Sequence, residues 1–202
     1  MEEISEHRID KWETLMFTYE SALKEIATKI DILNNEFIKI HNYNPIEHVT
    51  SRIKSSESIV KKLKRHGLEV NMDNMQNCLS DIAGIRLVCS FTSDIYLIAD
   101  MISKQNDLTI LARRDYMKNP KKSGYRSYHM LVTTPTKVEI QIRTVAQDFW
   151  ATLEHKMHYK FEGDGPDYIT KELRECARYV AELDERMQEL NNAIQKYGKN
   201  LE

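Results

Sequence analysis

The sequence predicts an α+β domain, with one β-sheet, helices packed around it and a long helix towards each end of the chain. Three observations support this fold. Two long segments place apolar residues at steps of three and four, the spacing of one helix face. Between them, apolar segments of strand length alternate with shorter helical segments. No internal repeat or low-complexity linker interrupts the 202 residues, a length that suits one domain with a real core.

The first long helix is predicted from Ile4 to Ile40, where neither Gly nor Pro occurs. Its apolar residues are Trp12, Leu15, Tyr19, Leu23, Ile26, Ile30, Leu33, Phe37 and Ile40. One helix or two helices in series would fit this spacing. The apolar seam could pack on its own domain or on another chain. Residues 42–45, which end in Pro45, are expected to terminate it.

The last long helix is predicted from about Asp167 towards Lys196, and it has a similar seam. Its apolar residues are Leu173, Cys176, Val180, Leu183, Met187, Leu190 and Ile194. We therefore expect an N-terminal helical extension over residues 1–44, a core over residues 45–162 and a C-terminal helix over residues 163–202. The two seams around a modest sheet domain also predict a homo-oligomer.

The segments between the long helices predict the sheet and its covering helices. Strands are expected at Ile46–Ile53, Ile85–Phe91, Leu108–Ala112, Tyr125–Thr133 and Val138–Thr144. Helices are expected at Ser55–Arg65, after a cap at Ser93 or Asp94, and at Val145–Phe161. Residues 71–77 are predicted to form a loop or a short helical turn.

Composition points to a soluble cytoplasmic protein. Lys and Arg number 29 against 31 Asp and Glu, so overall charge does not indicate nucleic-acid binding. No apolar run approaches the roughly 18 residues that a membrane span needs. The acidic start of the chain lacks a signal-peptide core. The three cysteines have no metal-binding spacing, and Cys89 and Cys176 are predicted to be buried free thiols.

Polar residues on two of the predicted strands suggest a site. Glu139, Gln141 and Arg143 alternate with apolar residues and would share one sheet face. In an isolated strand this pattern would also fit polar side chains that simply face solvent. However, Asp81 and Arg86 occur in a second apolar strand segment, where a buried arginine needs a partner. Two carboxylates, two arginines and a basic helix together suit a magnesium–polyphosphate site.

A basic segment and a basic loop could supply the remaining cations. The segment contains Arg52, Lys54, Lys61, Lys62, Lys64 and Arg65, opposed only by Glu57. It could be a solvated face or a phosphate-binding face. In the loop over residues 119–129, lysines precede Gly124 and Tyr125. A tyrosine placed there could stack on a nucleobase, an interaction of roughly 1–3 kcal/mol.

Six motifs then occur in the order found in a known family. They are Ser51-Arg52-Ile53-Lys54 with Ser58, Asp81-Ile82-Ala83-Gly84-Ile85-Arg86, Arg114-Asp115-Tyr116, Ser123-Gly124-Tyr125-Arg126-Ser127-Tyr128-His129, Glu139-Ile140-Gln141-Ile142-Arg143-Thr144, and Phe149-Trp150-Ala151 with Glu154-His155. Together they resemble the RelA/SpoT synthetase domain over roughly residues 45 to 160. The length and terminal helices resemble its stand-alone members, the small alarmone synthetases.

The resemblance implies an activity and a set of site residues. The activity is transfer of the β,γ-pyrophosphate of ATP to the ribose 3′-hydroxyl of GTP or GDP, with release of AMP. The implied fold is nucleotidyltransferase-like, with a mixed, mainly antiparallel sheet. The implied ATP-binding residues are Arg52, Lys54, Ser58, Lys62 and Arg86. The implied guanine nucleotide-binding residues are Lys121, Tyr125, His129, Gln141, Asp148 and Ala151. Asp81 and Glu139 would be the catalytic residues and would bind Mg²⁺, and Glu139 could also accept the proton of the 3′-hydroxyl.

The sequence departs from the family pattern at Asp148 and at residues 47–51, where His48 and Ser51 stand in place of an aromatic residue and a glycine, and two rival functions are open. Asp148 stands where family members often carry asparagine, so it could accept hydrogen bonds from guanine or only cap its helix. The family also includes tetramers, which makes a homotetramer the expected oligomer. The rivals are another nucleotidyltransferase and a single-stranded RNA-binding protein without turnover. We expect no membrane partner.

Overall fold

The computed structural model describes residues 2–160 and 167–199 of the chain. Its helices are α1 (Glu2–His41), α2 (Ser56–Arg65), α3 (Met72–Cys78), α4 (Thr92–Ser103), α5 (Val145–Lys160) and α6 (Asp167–Lys199). Its strands are β1 (Ile46–Ile53), β2 (Ala83–Cys89), β3 (Thr109–Asp115), β4 (Tyr128–Thr134) and β5 (Thr136–Thr144). The predicted α+β fold with two long flanking helices is confirmed.

The strands form one sheet in the order β1-β2-β5-β4-β3. Strands β2 and β5 pair in parallel, whereas the pairs β1–β2, β4–β5 and β3–β4 are antiparallel. The sheet is therefore mixed and mainly antiparallel, as the family resemblance implied. Strand β5 lies in the centre, so each of its polar side chains has neighbours on two sides.

Helix α1 is a single continuous helix that packs on one face of this sheet. Its residues Leu15, Tyr19, Leu23, Ile26 and Ile30 are buried in the same cluster as the apolar residues of β5. Each such side chain contributes about 1.5–3 kcal/mol when it is fully buried. Helix α1 contacts β1, β2 and β5, and α4 contacts β2, β4 and β5. The seam of α1 is thus used within its own domain, although Ile40 near its end is exposed.

Helix α6 uses its apolar residues differently. Ala177 is buried, but Leu183, Met187, Leu190 and Ile194 lie exposed along the helix. Cys176 is also exposed, so its predicted burial was wrong, whereas Cys89 is buried as predicted. A heptad spacing identifies a seam but does not show which part of it meets the domain. Among the residues described, neither α6 nor any other helix is long and apolar enough to cross a membrane.

Several predicted boundaries differ from the structure, among them β2 at Ala83–Cys89 rather than Ile85–Phe91 and β3 at Thr109–Asp115 rather than Leu108–Ala112. Strand β4 begins at Tyr128 rather than Tyr125, because Gly124 adopts a φ of 90° in a turn where its N–H donates to the carbonyl of Lys121. Residues 72–78 form the helix α3, which the side chain of Asn71 caps by accepting from Asn74 N.

The start of α4 also differs. Its N-cap is Phe91 rather than Ser93 or Asp94, and Asp94 instead accepts from Phe91 N from within the first turn. The predicted boundary between residues 162 and 163, and Phe161 at the predicted end of α5, lie outside the described residues.

Candidate active site

The polar face of β5 is the centre of the candidate site. Val138, Ile140 and Ile142 are fully buried on the apolar face, so Glu139, Gln141 and Arg143 share the opposite face. Pairing with β2 places Arg86 beside Gln141, and pairing with β4 places His129 there too. Alternation on β5 therefore predicted this face correctly, and the register of the sheet adds the residues around it.

Both carboxylate oxygens of Glu139 accept hydrogen bonds. His129 Nδ1 lies 3.2 Å from Oε1, and Gln141 Nε2 donates to Oε2 at 2.8 Å. Burial pushes the pKa of Glu139 upwards, but hydrogen bonds from these two residues outweigh it and leave the pKa below its ordinary value. Glu139 is therefore ionised at neutral pH and held in one orientation.

Arg143 connects the two residues that hold Glu139. Its Nη2 donates to Gln141 Oε1 at 2.8 Å and to the hydroxyl oxygen of Tyr125 at 2.8 Å. The Tyr125 hydroxyl in turn lies 2.9 Å from His129 Nε2. Because a carboxylate only accepts, His129 Nδ1 carries the proton towards Glu139, and a neutral ring accepts from Tyr125 at Nε2. Two chains of hydrogen bonds thus connect Arg143 to Glu139, one through Gln141 and one through Tyr125 and His129.

Asp148 forms ion pairs with two arginines. Its Oδ1 lies 3.2 Å from Arg86 Nη1 and 3.3 Å from Arg143 Nη1. Arg143 is 5% exposed, so an unpaired guanidinium there would be costly. The partner that sequence reasoning required for Arg86 is therefore Asp148, from the first turn of α5.

Asp81 lies between Lys54, just before α2, and Lys62, in the last turn of α2. Lys54 Nζ is 2.5 Å from its Oδ2, and Lys62 Nζ is 2.7 Å from its Oδ1. Burial raises the pKa of Asp81, but hydrogen bonds from Lys54 and Lys62 outweigh burial, so the pKa is lowered. The basic segment is therefore more than a solvated surface, because two of its lysines converge on a partly buried carboxylate.

These groups open onto one cavity on the polar face of the sheet. Its lining residues are Thr50, Arg52, Asp81, Gly84, Ile85, Arg86, Glu139 and Gln141. Asp81 is also near enough for its charge to act on the pKa of Glu139. Arg86 Nε is buried and has no hydrogen-bond partner among the described residues. The cavity thus combines two carboxylates with two arginines.

The predicted guanine residues form a second group beside this cavity. Lys121 Nζ lies 4.7 Å from the centre of the Tyr125 ring and 4.9 Å from that of Tyr116. The guanidinium of Arg143 is 4.9 Å from the Tyr125 ring centre. Such cation–ring contacts would hold the ring in place. The structure therefore brings Lys121, Tyr125, His129 and Gln141 together.

Two of the predicted site residues lie apart from these groups. Ser58 is exposed in the first turn of α2, where its hydroxyl accepts from the capping residue Ser55. Ala151 is buried with Trp150 and Ala177, in a cluster on which Tyr125 packs. Ala151 thus belongs to the cluster on which Tyr125 packs, and a direct contact with guanine stays a prediction.

Sequence reasoning missed two residues of the site. Arg143 was placed on the correct face but received no role, although it joins Tyr125, Gln141 and Asp148. Tyr116 was read only as part of a motif, yet its ring centre is 5.1 Å from that of His129. The register of β3 with β4 brings them close, and a single sequence does not reveal that pairing.

The donor set suits Mg²⁺. Asp81 and Glu139 line the same cavity and offer carboxylate oxygens, which this ion prefers. Over the described ranges, no cluster of three or more His, Cys, Asp or Glu residues could hold a metal by itself. Mg²⁺ commonly takes one or two protein carboxylates and completes its shell with water and substrate phosphates. Two carboxylates that line one cavity fit that pattern.

Comparison with known proteins identifies the family. Residues 51–164 match the sequence model described as "Region found in RelA / SpoT proteins". GTP pyrophosphokinase YwaC of Bacillus subtilis is 44% identical over 188 residues, which cover 89% of this chain and 90% of that protein. GTP pyrophosphokinase YjbM of the same species is 35% identical over 196 residues, covering 92% and 91%. The chain belongs to the RelA/SpoT family.

A solved structure shows the same fold. The small alarmone synthetase 1 from Bacillus subtilis, bound to its product pppGpp, superposes with a TM-score of 0.82 at 34% identity. The match covers 92% of this chain and 98% of that one. The similarity therefore extends over nearly the whole chain, including α1 and α6.

Proposed function

We propose that the protein is an alarmone synthetase of the (p)ppGpp type, a GTP pyrophosphokinase of the bacterial stringent response. It transfers the β,γ-pyrophosphate of ATP to the ribose 3′-hydroxyl of GTP or GDP and releases AMP. The observation that carries this proposal is the cavity on the polar sheet face, where Asp81 and Glu139 lie beside Arg52 and Arg86. Relatives at 44% and 35% identity, named as GTP pyrophosphokinases, support the same activity.

ATP would bind between β1, β2 and α2. Arg52 and Arg86 would flank the adenine, and both already line the cavity. Lys54, Ser58 and Lys62 would hold the phosphates. The two lysines now paired with Asp81 would then be shared between that carboxylate and the phosphate oxygens. Cations in this arrangement offset the charge that moves with the pyrophosphoryl group.

The guanine nucleotide would bind on the Tyr125 side. Tyr125 would stack on the base, and Lys121 and His129 would lie near the acceptor phosphates. Stacking alone tolerates any base, so Gln141 and Asp148 are the candidates for reading the edge of guanine. Since Asp148 Oδ1 already faces two arginines, its other oxygen is the one available for that edge.

Glu139 would act on the 3′-hydroxyl itself. It is ionised, partly buried and fixed through both oxygens, so it could accept the hydroxyl proton once the acceptor lies within hydrogen-bond reach. Asp81 and Glu139 are the residues that would hold Mg²⁺, which would neutralise phosphate charge and orient the reacting groups when bound. Both carboxylates would be idle in a protein that only binds RNA, so RNA binding would accompany synthesis rather than replace it.

We also propose a cytoplasmic homo-oligomer, with the tetramer taken from the family. The exposed row Leu183, Met187, Leu190 and Ile194 on α6 supports an interface between copies. The described cysteines Cys78, Cys89 and Cys176 are all free, which suits a reducing compartment. Light scattering should report a multiple of the 23.8 kDa chain mass, and a monomer at micromolar concentration would contradict the assembly.

The activity is tested by incubating the protein with ATP, Mg²⁺ and either GTP, GDP or GMP, then separating the nucleotides by anion-exchange chromatography. We expect AMP together with a new, more highly charged guanine nucleotide. A 3′-deoxy analogue of the guanine nucleotide is the matched control, because it lacks only the acceptor hydroxyl and should give no transfer. Absence of AMP with every guanine nucleotide, or equal AMP with the 3′-deoxy analogue, would contradict the proposal.

A further inference from the structure

A partly buried carboxylate, Asp184, joins helix α6 to the site-bearing elements β5 and α5. Asp184 Oδ2 accepts from the hydroxyl of Thr144 at 2.7 Å and from Gln147 Nε2 at 3.0 Å. Thr144 is the last residue of β5 and follows Arg143 directly, whereas Gln147 lies in the first turn of α5. Both are almost completely buried. Asp184 therefore holds the junction between β5 and α5 from the outside.

The same contact controls how α5 begins. Gln147 N donates to Thr144 Oγ1 at 3.1 Å, so the Thr144 side chain caps the helix. A hydroxyl has only one proton, and Thr144 gives it to Asp184. The lone pairs of the hydroxyl are then left for Gln147 N. Asp184 thus sets the orientation in which Thr144 caps α5.

The first turn of α5 carries a site residue one position further on. Asp148 follows Gln147 and holds Arg143 and Arg86 through its Oδ1. Arg143 donates to Tyr125, whose hydroxyl contacts His129. A shift of the α5 start would therefore reach Tyr125 through Asp148 and Arg143.

Two further contacts of α6 lie on the same side of the site. Trp150 Nε1 donates to the carbonyl of Leu173 at 3.0 Å. A Cβ added to Gly124 would come within 2.5 Å of Ala177 Cβ, so the turn before Tyr125 is in close contact with α6. On the ATP side, Lys54 and Lys62 are held by Asp81, and only Arg86 of the proposed ATP residues is paired with Asp148.

We propose that Asp184 is a positioning residue for the guanine nucleotide subsite, acting through Thr144 and Gln147 on Asp148 and Arg143. The inference rests on the proposed function, since it assigns Tyr125 and Asp148 to the acceptor. Asp184 touches no substrate in this account. Its contribution is to keep the start of α5 in the orientation that the acceptor requires.

The electrostatics of Asp184 fit a positioning role better than a stabilising one. Burial raises the pKa of Asp184 above its ordinary value, although hydrogen bonds from Thr144 and Gln147 act in the other direction. An acid with a raised pKa is harder to ionise in the folded protein than in the unfolded chain. Ionised Asp184 therefore lowers the free energy of unfolding at neutral pH. An asparagine would keep an oxygen that accepts from both partners and would remove that cost.

The test compares three variants with the wild-type protein. Asp184→Ala removes the acceptor, Asp184→Asn keeps a neutral acceptor, and Thr144→Val removes the hydroxyl while keeping the side-chain shape. Gln188→Ala is the matched control, because Gln188 also tethers α6, but to Ser93 N at the start of α4. The measurements are KM for GDP and ATP, kcat, GDP affinity by calorimetry and the free energy of unfolding in urea.

We expect Asp184→Ala and Thr144→Val to raise the KM and Kd for GDP by up to about 100-fold, the scale of a small misplacement in an active site, with a much smaller change for ATP. Asp184→Asn should bind GDP nearly as the wild type does and should unfold at equal or higher urea concentration. Gln188→Ala should lower stability without changing GDP affinity. Should Asp184→Ala fail to fold, Thr144→Val and Asp184→Asn still decide the outcome.

Two results would overturn the inference. One is GDP affinity unchanged in both Asp184→Ala and Thr144→Val. The other is an equal loss of GDP and ATP affinity that Gln188→Ala reproduces, which would reveal a purely structural tether. If the wild-type protein itself makes no AMP and binds no GDP, the proposed function fails as well. If the wild-type protein is active and the Asp184→Ala and Thr144→Val variants bind GDP normally, only the positioning role of Asp184 is contradicted.

Discussion

His129 Nδ1 faces Glu139 Oε1 across 3.2 Å, from the neighbouring strand of the sheet. This contact and the one from Gln141 lower the pKa of Glu139 against the effect of burial. A carboxylate prepared in this way is ionised before substrate arrives. As the proposed general base, it would be weaker than a carboxylate with a raised pKa, so its orientation would have to contribute more than its basicity.

Replacing Tyr125 tests the guanine subsite. Tyr125→Ala removes the ring that would stack on the base. The binding free energy of GTP and GDP should weaken by about 1–3 kcal/mol, which would appear as a higher KM for both. The KM for ATP should change little, because Tyr125 does not line the cavity that contains Arg52 and Arg86. Steady-state kinetics with each nucleotide varied in turn provide the measurement.

Tyr125→Phe is the matched control for that prediction. It keeps the ring but removes the hydroxyl that accepts from Arg143 and contacts His129. We expect it to lower kcat while leaving the KM for the guanine nucleotide near the wild-type value. A KM that rises as far in Tyr125→Phe as in Tyr125→Ala would argue against stacking.

Asp148 has two competing roles that one series of variants separates. Asp148→Ala should weaken guanine acceptors by roughly 1–3 kcal/mol, the cost of leaving polar groups unpaired. Some increase in the KM for ATP is also expected, because Arg86 loses its ion pair. Asp148→Asn, the residue common in the family, should retain most guanine affinity. Unchanged KM values for GDP and GTP in Asp148→Ala would favour a structural role at the start of α5.

The pKa of Asp81 predicts a pH dependence of stability. Because Lys54 and Lys62 outweigh burial and lower this pKa, the folded protein binds a proton at Asp81 less readily than the unfolded chain. The stabilisation is complete above the unfolded pKa of about 3.9 and disappears as pH falls through the folded pKa. Urea unfolding from pH 7 to pH 3 should therefore show a smaller loss of stability in Asp81→Asn than in the wild type. Parallel curves for the two proteins would contradict the assignment.

Asp81→Asn also tests the metal site. The variant should be nearly inactive with ATP and GDP, since it removes one of the two carboxylates that line the cavity. Raising the Mg²⁺ concentration should restore only part of the activity. Full recovery at high Mg²⁺ would assign Asp81 a weaker, auxiliary part in metal binding.

Gly124 is predicted to be sensitive to even a single added methyl group. Its φ of 90° disfavours any residue with a Cβ, and the new methyl would lie 2.5 Å from Ala177 Cβ. Gly124→Ala should therefore move the turn before Tyr125 and raise the KM for GDP. Gly67→Ala is the control, because Gly67 also has a positive φ but nothing within 4 Å of an added Cβ. It should cost stability without altering the KM.

Local patterns predicted the centre of the site because a strand repeats every two residues. Alternation over Val138–Thr144 placed Glu139, Gln141 and Arg143 on one face before any partner was known. The same pattern made the apolar face of β5 predictable. The helix predicted over Ser55–Arg65 was also a local signal, and the structure confirms it as α2, with Ser55 as its N-cap.

Other contacts depend on pairings that a single chain does not display. Tyr116 approaches His129 only because β3 pairs with β4 in a particular register. Asp184 reaches Thr144 across 40 positions of sequence. The exposure of Cys176 depended on which face of α6 meets the domain, and heptad spacing leaves that choice open.

Glu139→Gln tests directly whether the reaction occurs on the polar face of β5. Glutamine has the same shape but can neither take a proton nor carry the charge, and the buried face of β5 is untouched. Glu20→Gln, an exposed position on α1, is the matched control. We expect Glu139→Gln to keep the wild-type circular dichroism spectrum and to form AMP at least about 100-fold more slowly. Turnover near the wild-type rate in Glu139→Gln would show that the reaction does not depend on this carboxylate.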